Sequence, residues 1–213
     1  MDLFTASALT NAYHFFEQGG VFMVLLLALS ITAGTVMILR GTVLREKAVL
    51  PPAICEEIER LQPGQDLSRL EKTIARHPSP LGRVAATVLK HLTWPRSETV
   101  EAVQTRARHE VAHLESGLVL IEIATGIAPL LGLLGTLSGL VGIFAAVGSD
   151  PSLVARGIAE ALNTTIVGLA VSVPCLIAHN HFQRRIEIMS VEMESLISDL
   201  VAKCYTQSSD RAL

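Results

Sequence analysis

Residues 127–144 read IAPLLGLLGTLSGLVGIF, and residues 157–182 read GIAEALNTTIVGLAVSVPCLIAHNHF. The first stretch carries no charged residue, and Glu160 is the only charged residue of the second. A helix needs about 20 mainly apolar residues to cross a lipid bilayer. A third stretch of this kind, VFMVLLLALSITAGTVMIL, fills residues 21–39. The three stretches predict an all-α integral membrane protein with three transmembrane helices.

The overall composition agrees with a membrane location. The chain has 213 residues, of which 50% are hydrophobic and only 17% are charged. Soluble domains average about 25% charged residues, and a chain this short cannot hide so much apolar surface in an aqueous core. The net charge of −3 argues against a nucleic-acid-binding protein, which is typically basic. The cysteines are widely spaced and indicate neither a disulfide framework nor a zinc site, so no metal or cofactor is predicted: Cys55, Cys175 and Cys204.

The basic residues predict the orientation of the spans. Sixteen of the 17 lysines and arginines lie in residues 40–116 and 182–213, whereas residues 1–20 have none. Basic residues near the ends of spans mark the cytoplasmic side, so the N-terminus is predicted outside and the C-terminus inside. A signal peptide would open with basic residues, so the first span is predicted to be retained. The predicted order is a periplasmic segment (1–20), a first span (21–39), a cytoplasmic helical domain (40–116), a second span (117–147), a periplasmic loop (148–156), a third span (157–181) and a cytoplasmic helical tail (182–213).

The helical patterns continue beyond the second and third spans. From Ser97, a predicted N-cap, nothing breaks the pattern before Pro129, so one helix is predicted from about Glu98 to Val147. Two of the three transmembrane helices are thus predicted to extend far into the cytoplasm. In the tail, apolar residues repeat every three or four positions, as in a helix that packs in a bundle: Phe182, Ile186, Met189, Met193, Leu196 and Leu200.

Small residues in the second and third spans predict close helix packing. Four glycines of the second span are separated by three, four and three positions and therefore share one helix face. Small residues at this spacing let helices approach closely in lipid. Together with small residues of the third span they predict tight helix pairing and self-association: Gly132, Gly135, Gly139, Gly142 and Gly168.

Polar residues inside the spans are candidates for a functional path. Thr136 and Thr165 lie roughly 16 and 12 Å from the outer ends of their helices, which places the two hydroxyls at similar depth. Intramembrane polar groups usually face a protein interior or a water-filled path, although a threonine can also bond its own helix backbone. No carboxylate, His, Lys or Arg lies at mid-depth. Either the chain moves no protons or a partner supplies the acid. The candidate pathway residues are Thr136, Thr165, Glu160, Thr164 and Asn163.

The two stretches quoted first resemble the second and third spans of the MotA/TolQ/ExbB proton channel family, and of its ExbB and TolQ members in particular. The order of elements along the chain is similar as well. The resemblance implies that the chain forms a homo-oligomeric ring, typically a pentamer. The pore threonines of the family correspond to Thr136 and Thr165, and its glutamate corresponds to Glu160. Asn163 departs from the family pattern, and the adjacent Thr164 leaves open which hydroxyl faces the lumen.

The resemblance also implies partners and a location. A single-span protein of the ExbD or TolR type would carry the aspartate that takes up and releases the proton. The ring would use the proton motive force to energise TonB-dependent outer-membrane transport, or a related envelope process through a TolA-like protein. The expected location is the bacterial inner membrane. The load and the subtype, ExbB or TolQ, stay open.

Two alternatives come from other classes of protein. Residues 109–113 read HEVAH, the HExxH pattern in which two histidines of one helix face bind zinc and the glutamate acts as a base. His109 and His113 are therefore weak metal candidates, but a catalytic zinc needs a third protein ligand that the pattern does not supply. A solvated helix face is the preferred interpretation, and no enzyme activity is predicted. The second alternative is a membrane scaffold that conducts nothing.

Overall fold

The computed structural model of the chain describes residues 20–145 and 151–210, and within these it leaves the side chains of residues 145, 151–153, 156, 160 and 207–210 undescribed. Throughout the described ranges the regular structure is helical, which confirms the all-α prediction. The helices are α1 (Gly20–Val43), α2 (Glu46–Val49), α3 (Pro52–Arg60), α4 (Ser68–Arg76), α5 (Pro80–Lys90), α6 (Arg96–Glu115), α7 (Leu118–Ala145) and α8 (Pro151–Asp210).

Three of these helices are long and apolar enough to cross a membrane. They are α1, the Leu118–Phe144 part of α7, and α8 from Gly157 onward. Large apolar side chains stand exposed along all three, including Ile38, Val141 and Ile166. Exposed apolar rows of this extent are unfavourable in water and favourable against lipid or other membrane helices. The prediction of three spans is confirmed.

The chain divides into two compact units. The first contains the described residues up to Leu39 together with Leu118–Asn180, and the second contains Arg40–Gly117 together with the chain from His181 onward. The first unit therefore holds the apolar helices, and the second holds α2 to α6 and the later part of α8. Each unit combines segments that are far apart in the sequence.

The second unit has a core of amphipathic helices. At the start of α5 the hydroxyl of Ser79 accepts a hydrogen bond from the Gly82 amide at 3.1 Å, which caps the helix, and Pro80 occupies its first turn. Helix α6 begins at Arg96 after Pro95, so the predicted cap at Ser97 is wrong. The α5 side of the core consists of Leu81, Val84, Ala85 and Val88, all fully buried.

The predicted single helix from 98 to 147 is wrong at one point. Helix α6 ends at Glu115 and α7 begins at Leu118, with Ser116 and Gly117 between them. Ser and Gly are weaker helix formers than Ala, and the Ser116 hydroxyl donates to the His113 carbonyl at 2.8 Å. The interruption therefore follows from the low helix propensity of Ser116 and Gly117 and from the Ser116 hydrogen bond. The spacing of apolar residues does not reveal either.

Helix α8 is continuous over 60 residues: it begins at Pro151, inside the predicted loop 148–156, and it continues beyond the third span as the apolar pattern predicts. It passes through Pro174 without ending. In the second unit its apolar stripe forms part of the core, which confirms the predicted packing face. Buried there are Phe182, Ile186, Met189, Met193 and Leu200, and Leu196 is half-buried.

Candidate functional site: a threonine cluster between two membrane helices

Helices α7 and α8 approach closely along small residues. A Cβ built at Gly135 would lie 2.7 Å from the Thr164 hydroxyl oxygen, and one built at Gly139 would lie 2.8 Å from the Cβ of Ala161. At Gly168 a Cβ would lie 2.6 Å from the Ala128 carbonyl oxygen. A side chain at any of these points would displace its neighbour, so the glycines are what allows the helices to lie this close. The predicted glycine face is thus used within the chain, between α7 and α8.

One glycine of the predicted face does not take part. A Cβ built at Gly142 meets nothing within 4 Å among the described residues. Gly132, by contrast, faces the backbone of α8, where a Cβ would lie 2.8 Å from the Thr164 carbonyl oxygen. The four glycines share a face by spacing, but the contact with α8 covers only the first three.

Three threonine hydroxyls meet at this contact. The Thr136 hydroxyl lies 3.0 Å from the Ala161 carbonyl and 3.2 Å from the Gly132 carbonyl. It is also hydrogen-bonded to the Thr165 hydroxyl, and it lies 3.4 Å from that of Thr164. The two threonines matched by depth are therefore in direct contact across the helix pair.

The cluster has more acceptors than protons. Thr164 donates to Ala161 at 2.8 Å or to Gly132 at 3.1 Å, and Thr165 reaches the same Gly132 carbonyl at 3.2 Å. Each hydroxyl carries one proton and accepts through its lone pairs. Because each proton has more than one acceptor, the hydroxyls can exchange hydrogen bonds by rotation. They cannot hold a charge near neutral pH.

The three hydroxyls differ in access. Thr164 is 2% exposed and Thr136 is 8% exposed, whereas Thr165 is half-buried. Thr164 fills the space over Gly135, as a packing residue does. Thr165 lies at the open edge of the cluster, with its hydroxyl on Thr136. Of the two adjacent threonines, Thr165 is the one accessible from outside the helix pair.

The remaining predicted pathway residues lie on the same turns of α8. Asn163 is half-buried. Glu160 is part of the helix, but its side chain is outside the described residues, so its predicted role stays a prediction. The stretches 128–144 of α7 and 161–178 of α8 contain no Asp, Glu, His, Lys or Arg. The threonine cluster thus has no carboxylate and no basic side chain as a neighbour on these two stretches.

A second polar contact, which is not predicted from the sequence, joins the same two helices. The Ser172 hydroxyl donates to the Thr125 carbonyl at 2.7 Å. Ser172 follows Gly168 by one helical turn, on the face that packs against α7. The spacing of Ser172 from Gly168 could have indicated this contact, because a hydroxyl on a close-packed helix face in lipid needs an acceptor.

The HEVAH motif is built differently from a zinc site. Glu110 is buried in the second unit, where Arg83 contacts it at 2.5 Å and Arg106 at 2.6 Å. The hydrogen bond from Arg83 lowers the pKa of Glu110 below its ordinary value, against the opposing effect of burial. His109 and His113 are exposed, as a solvated helix face requires. Among the described residues, no group of three or more His, Cys, Asp or Glu side chains is placed to hold a metal.

These features define the class of protein: an α-helical membrane protein whose second and third spans enclose a hydroxyl cluster without a titratable group. The chain belongs to the MotA/TolQ/ExbB proton channel family, whose model matches residues 76–195. The match includes both α7 and the membrane part of α8. Bacterial members of the family are inner-membrane proteins that act in transport-associated channels.

Individual relatives carry the names of ExbB-like and TolQ proteins. A putative biopolymer transport protein ExbB homolog of Methanothermobacter thermautotrophicus is 30% identical over 84% of this chain and 66% of its own length. A putative biopolymer transport protein ExbB-like 1 of Synechocystis is 31% identical over 84% of this chain and 72% of its own length. The Tol-Pal system protein TolQ of Pseudomonas aeruginosa is 27% identical over 78% of this chain and 79% of its own length.

Proposed function

We propose that this chain is an ExbB- or TolQ-like subunit of a proton channel in the bacterial inner membrane. With a single-span partner of the ExbD or TolR type, it uses the proton motive force to energise TonB-dependent outer-membrane transport or a related envelope process. The subunits form a ring, typically a pentamer, with the N-terminus periplasmic and the C-terminus cytoplasmic. Support comes from the family membership, from the names of the relatives and from the distribution of basic residues.

The observation that carries the proposal is the contact of Thr136 with Thr165. Two hydroxyls from different spans share hydrogen bonds at one depth, and Thr165 is accessible from outside the helix pair. Polar groups at this depth in lipid are costly unless they are bonded or serve a path. Thr164, whose hydroxyl is enclosed between α7 and α8, already fills the space that packing requires, so packing alone does not explain the accessible hydroxyl of Thr165.

The lack of an acid in the cluster explains why a partner is needed. A proton crossing a low-dielectric region needs a group that binds and releases it, and a hydroxyl does neither near neutral pH. In the proposed channel the partner's aspartate does so, and Thr136 and Thr165 bond to that carboxyl or to the water that serves it. Glu160 precedes Thr164 by about one helical turn of α8, and we assign it to the outer end of the path.

The first testable prediction concerns proton flux. The chain is reconstituted into liposomes with a single-span protein of the ExbD or TolR type from the same organism, and a pH-sensitive dye inside reports uptake after an acid pulse. We expect Thr136→Val and Thr165→Val to reduce the flux at least about tenfold, the factor that corresponds to about 1.4 kcal/mol at a barrier. Glu160→Ala should also lower it.

Thr35→Val is the matched control. The Thr35 hydroxyl bonds the Ile31 carbonyl of its own helix at 2.8 Å and lies on the exposed side of α1. Removing it should leave the flux within about twofold of wild type, because within the described part of the chain no hydroxyl of another helix bonds to it. If the threonine variants of the cluster conduct as wild type does, the site assignment is wrong. If the wild-type pair conducts no protons, the scaffold alternative replaces the channel.

A further inference from the structure

The last turn of α1 carries an arginine that reaches the interruption between α6 and α7. The Arg40 guanidinium donates to the Ser116 hydroxyl at 3.2 Å and to the Leu114 carbonyl at 3.4 Å. Ser116 in turn donates to the His113 carbonyl at 2.8 Å. Two carbonyls of the last turn of α6 are therefore served by Ser116 and Arg40.

These contacts match the chemistry of a helix end. The last carbonyls of a helix have no partner within the helix and carry a partial negative charge, which a cation stabilises. Helix α6 ends at Glu115, so its final carbonyls are of this kind. Arg40 places a positive charge on them from a different part of the chain, 74 residues away from Leu114.

Gly117 provides the space for this contact. A Cβ at position 117 would overlap the Arg40 guanidinium. Among the described glycines only Gly20 and Gly64 have a positive φ, so no left-handed backbone requires glycine at 117. Glycine is needed at 117 because it has no side chain that would occupy the position of the Arg40 guanidinium. The neighbouring Gly41 differs, because a Cβ there would lie at an ordinary 3.9 Å from the Phe182 ring.

We propose that Arg40 is a positioning residue that fastens the end of the first membrane helix to the interruption at residues 116–117, and that this joint transmits proton-driven movement. The second half of the statement rests on the proposed function. Arg40 then differs from Arg45 and Lys47, which follow it in the chain and are exposed. Those residues add positive charge near the span. Arg40 also donates two hydrogen bonds from the fixed plane of its guanidinium, which a lysine ammonium cannot do.

The experiment compares four variants in the complex with a single-span protein of the ExbD or TolR type from the same organism: Arg40→Ala, Arg40→Lys, Gly117→Ala and the double variant Arg40→Ala/Gly117→Ala. Two quantities are measured for each. One is dye-detected proton flux in liposomes, and the other is complementation of a deletion strain, scored by detergent resistance and by growth on chelated iron. We expect Arg40→Ala and Gly117→Ala to lower complementation at least about tenfold, while proton flux stays within about twofold of wild type. A loss of complementation with retained proton flux would not follow from general misfolding, because a misfolded channel would lose both.

The double variant tests the contact itself. Because an alanine at 117 acts by displacing the guanidinium, adding Gly117→Ala to Arg40→Ala should cause no further loss, whereas independent effects would multiply. Arg40→Lys should recover only part of the activity. Gly41→Ala and Arg45→Ala are the matched controls and should behave as wild type.

Several results would overturn the inference. Wild-type complementation by Gly117→Ala or by Arg40→Ala would remove the joint, and multiplied losses in the double variant would show that the two residues act separately. Equal loss of flux and complementation would reduce Arg40 to a structural residue. If the wild-type complex itself conducts no protons, the proposed function and the transmission role fall together. The non-additivity of the two substitutions, measured as thermal unfolding in detergent, then decides whether the contact exists.

Discussion

The carboxylate of Glu110 is 3% exposed and lies between two arginines, Arg83 of α5 and Arg106 of α6. Its bonds to the Arg83 guanidinium are bidentate, through Nε at 2.8 Å and Nη2 at 2.5 Å. Bidentate pairs of this kind are stronger than single hydrogen bonds. Glu110 thus joins α5 to α6.

Replacing Glu110 by glutamine tests this role and its pH dependence. The variant keeps the shape but leaves two arginines without their counter-charge, so we expect a loss of about 1–3 kcal/mol in the stability of the second unit near neutral pH. Arg83 is partly exposed, which keeps the effect below that of a fully buried pair. Thermal unfolding of the purified chain, followed by circular dichroism, measures the difference.

The sign of the pH effect follows from the lowered pKa of Glu110, caused first by the Arg83 hydrogen bond. A carboxyl whose pKa is lower when folded stabilises the protein above its unfolded pKa of about 4.3, and this stabilisation disappears as the pH falls through the folded value. The gap between wild type and Glu110→Gln should therefore be full near pH 7 and shrink below pH 4.3. His113→Ala is the control, because its ring is exposed and it is not among the charges that act on Glu110. A gap that persists unchanged in acid would contradict the assignment.

At the scale of the elements, the contact between α7 and α8 places the threonine cluster. It depends on glycines that leave no room for a side chain, and the backbone of each helix lies against the other. Close packing of this kind is what holds membrane helices together, since lipid supplies no hydrophobic drive between them. The hydroxyls then bond across the gap because the helices are close.

Substituting two glycines of one face separates this contact from general effects of a larger residue. Gly139→Val would press on Ala161, whereas Gly142→Val meets nothing within 4 Å in the described part of the chain. Both exchanges change intrinsic helix propensity equally. We expect Gly139→Val to cost about 1–3 kcal/mol by overpacking and to reduce proton flux, and Gly142→Val to cost less than about 0.5 kcal/mol. Unfolding in detergent and the liposome assay check this, and equal effects would argue against the contact.

At the scale of the whole molecule, the second unit depends on chain segments far apart in the sequence. Lys203 of α8 donates to the Ile58 and Glu59 carbonyls at 2.9 and 3.0 Å, at the end of α3. Tyr205 reaches the His91 and Trp94 carbonyls at 3.1 and 3.0 Å. The later part of α8 is thus a core element of this unit.

Two isoleucines on α8 can test whether the later part of this helix belongs to the core of the second unit. Ile186 is 2% exposed and Ile188 is 52% exposed, two positions apart on one helix. We expect Ile186→Ala to cost about 2–5 kcal/mol and to make residues 40–117 sensitive to protease. Ile188→Ala should stay within about 0.5 kcal/mol of wild type in the detergent-purified chain. Equal protease sensitivity of the two variants would show that α8 does not form this core.

Several features of the fold and the site are predictable from local sequence. The charge-free runs predict the spans, and the repeat from Phe182 to Leu200 predicts the buried face of α8. Depth counting places Thr136 and Thr165 at similar depth, although it does not predict the contact between their hydroxyls. In each case the physical cause, apolar transfer or helical rise, acts on consecutive residues and can be read from them.

Other features were not predictable, because they depend on contacts between distant residues. Thr164 and Thr165 are chemically identical neighbours, and only the position of Gly135 decides which hydroxyl is enclosed. Glu110 matches a zinc motif in sequence, but its partner Arg83 lies on another helix. The interruption at Ser116 falls in an apolar repeat that continues on both sides of it.

The sequence by itself thus determined the number of spans, the small-residue faces, the absence of a mid-depth acid and the family. Local hydropathy and helical spacing suffice for these, since they concern stretches of one helix. Only the tertiary structure decided which glycines touch α8, which threonine stays accessible, and that Arg40 and Glu110 bond to helices other than their own. Those outcomes follow from close packing and from the pairing of polar groups across the chain, and both act between residues that the sequence keeps apart.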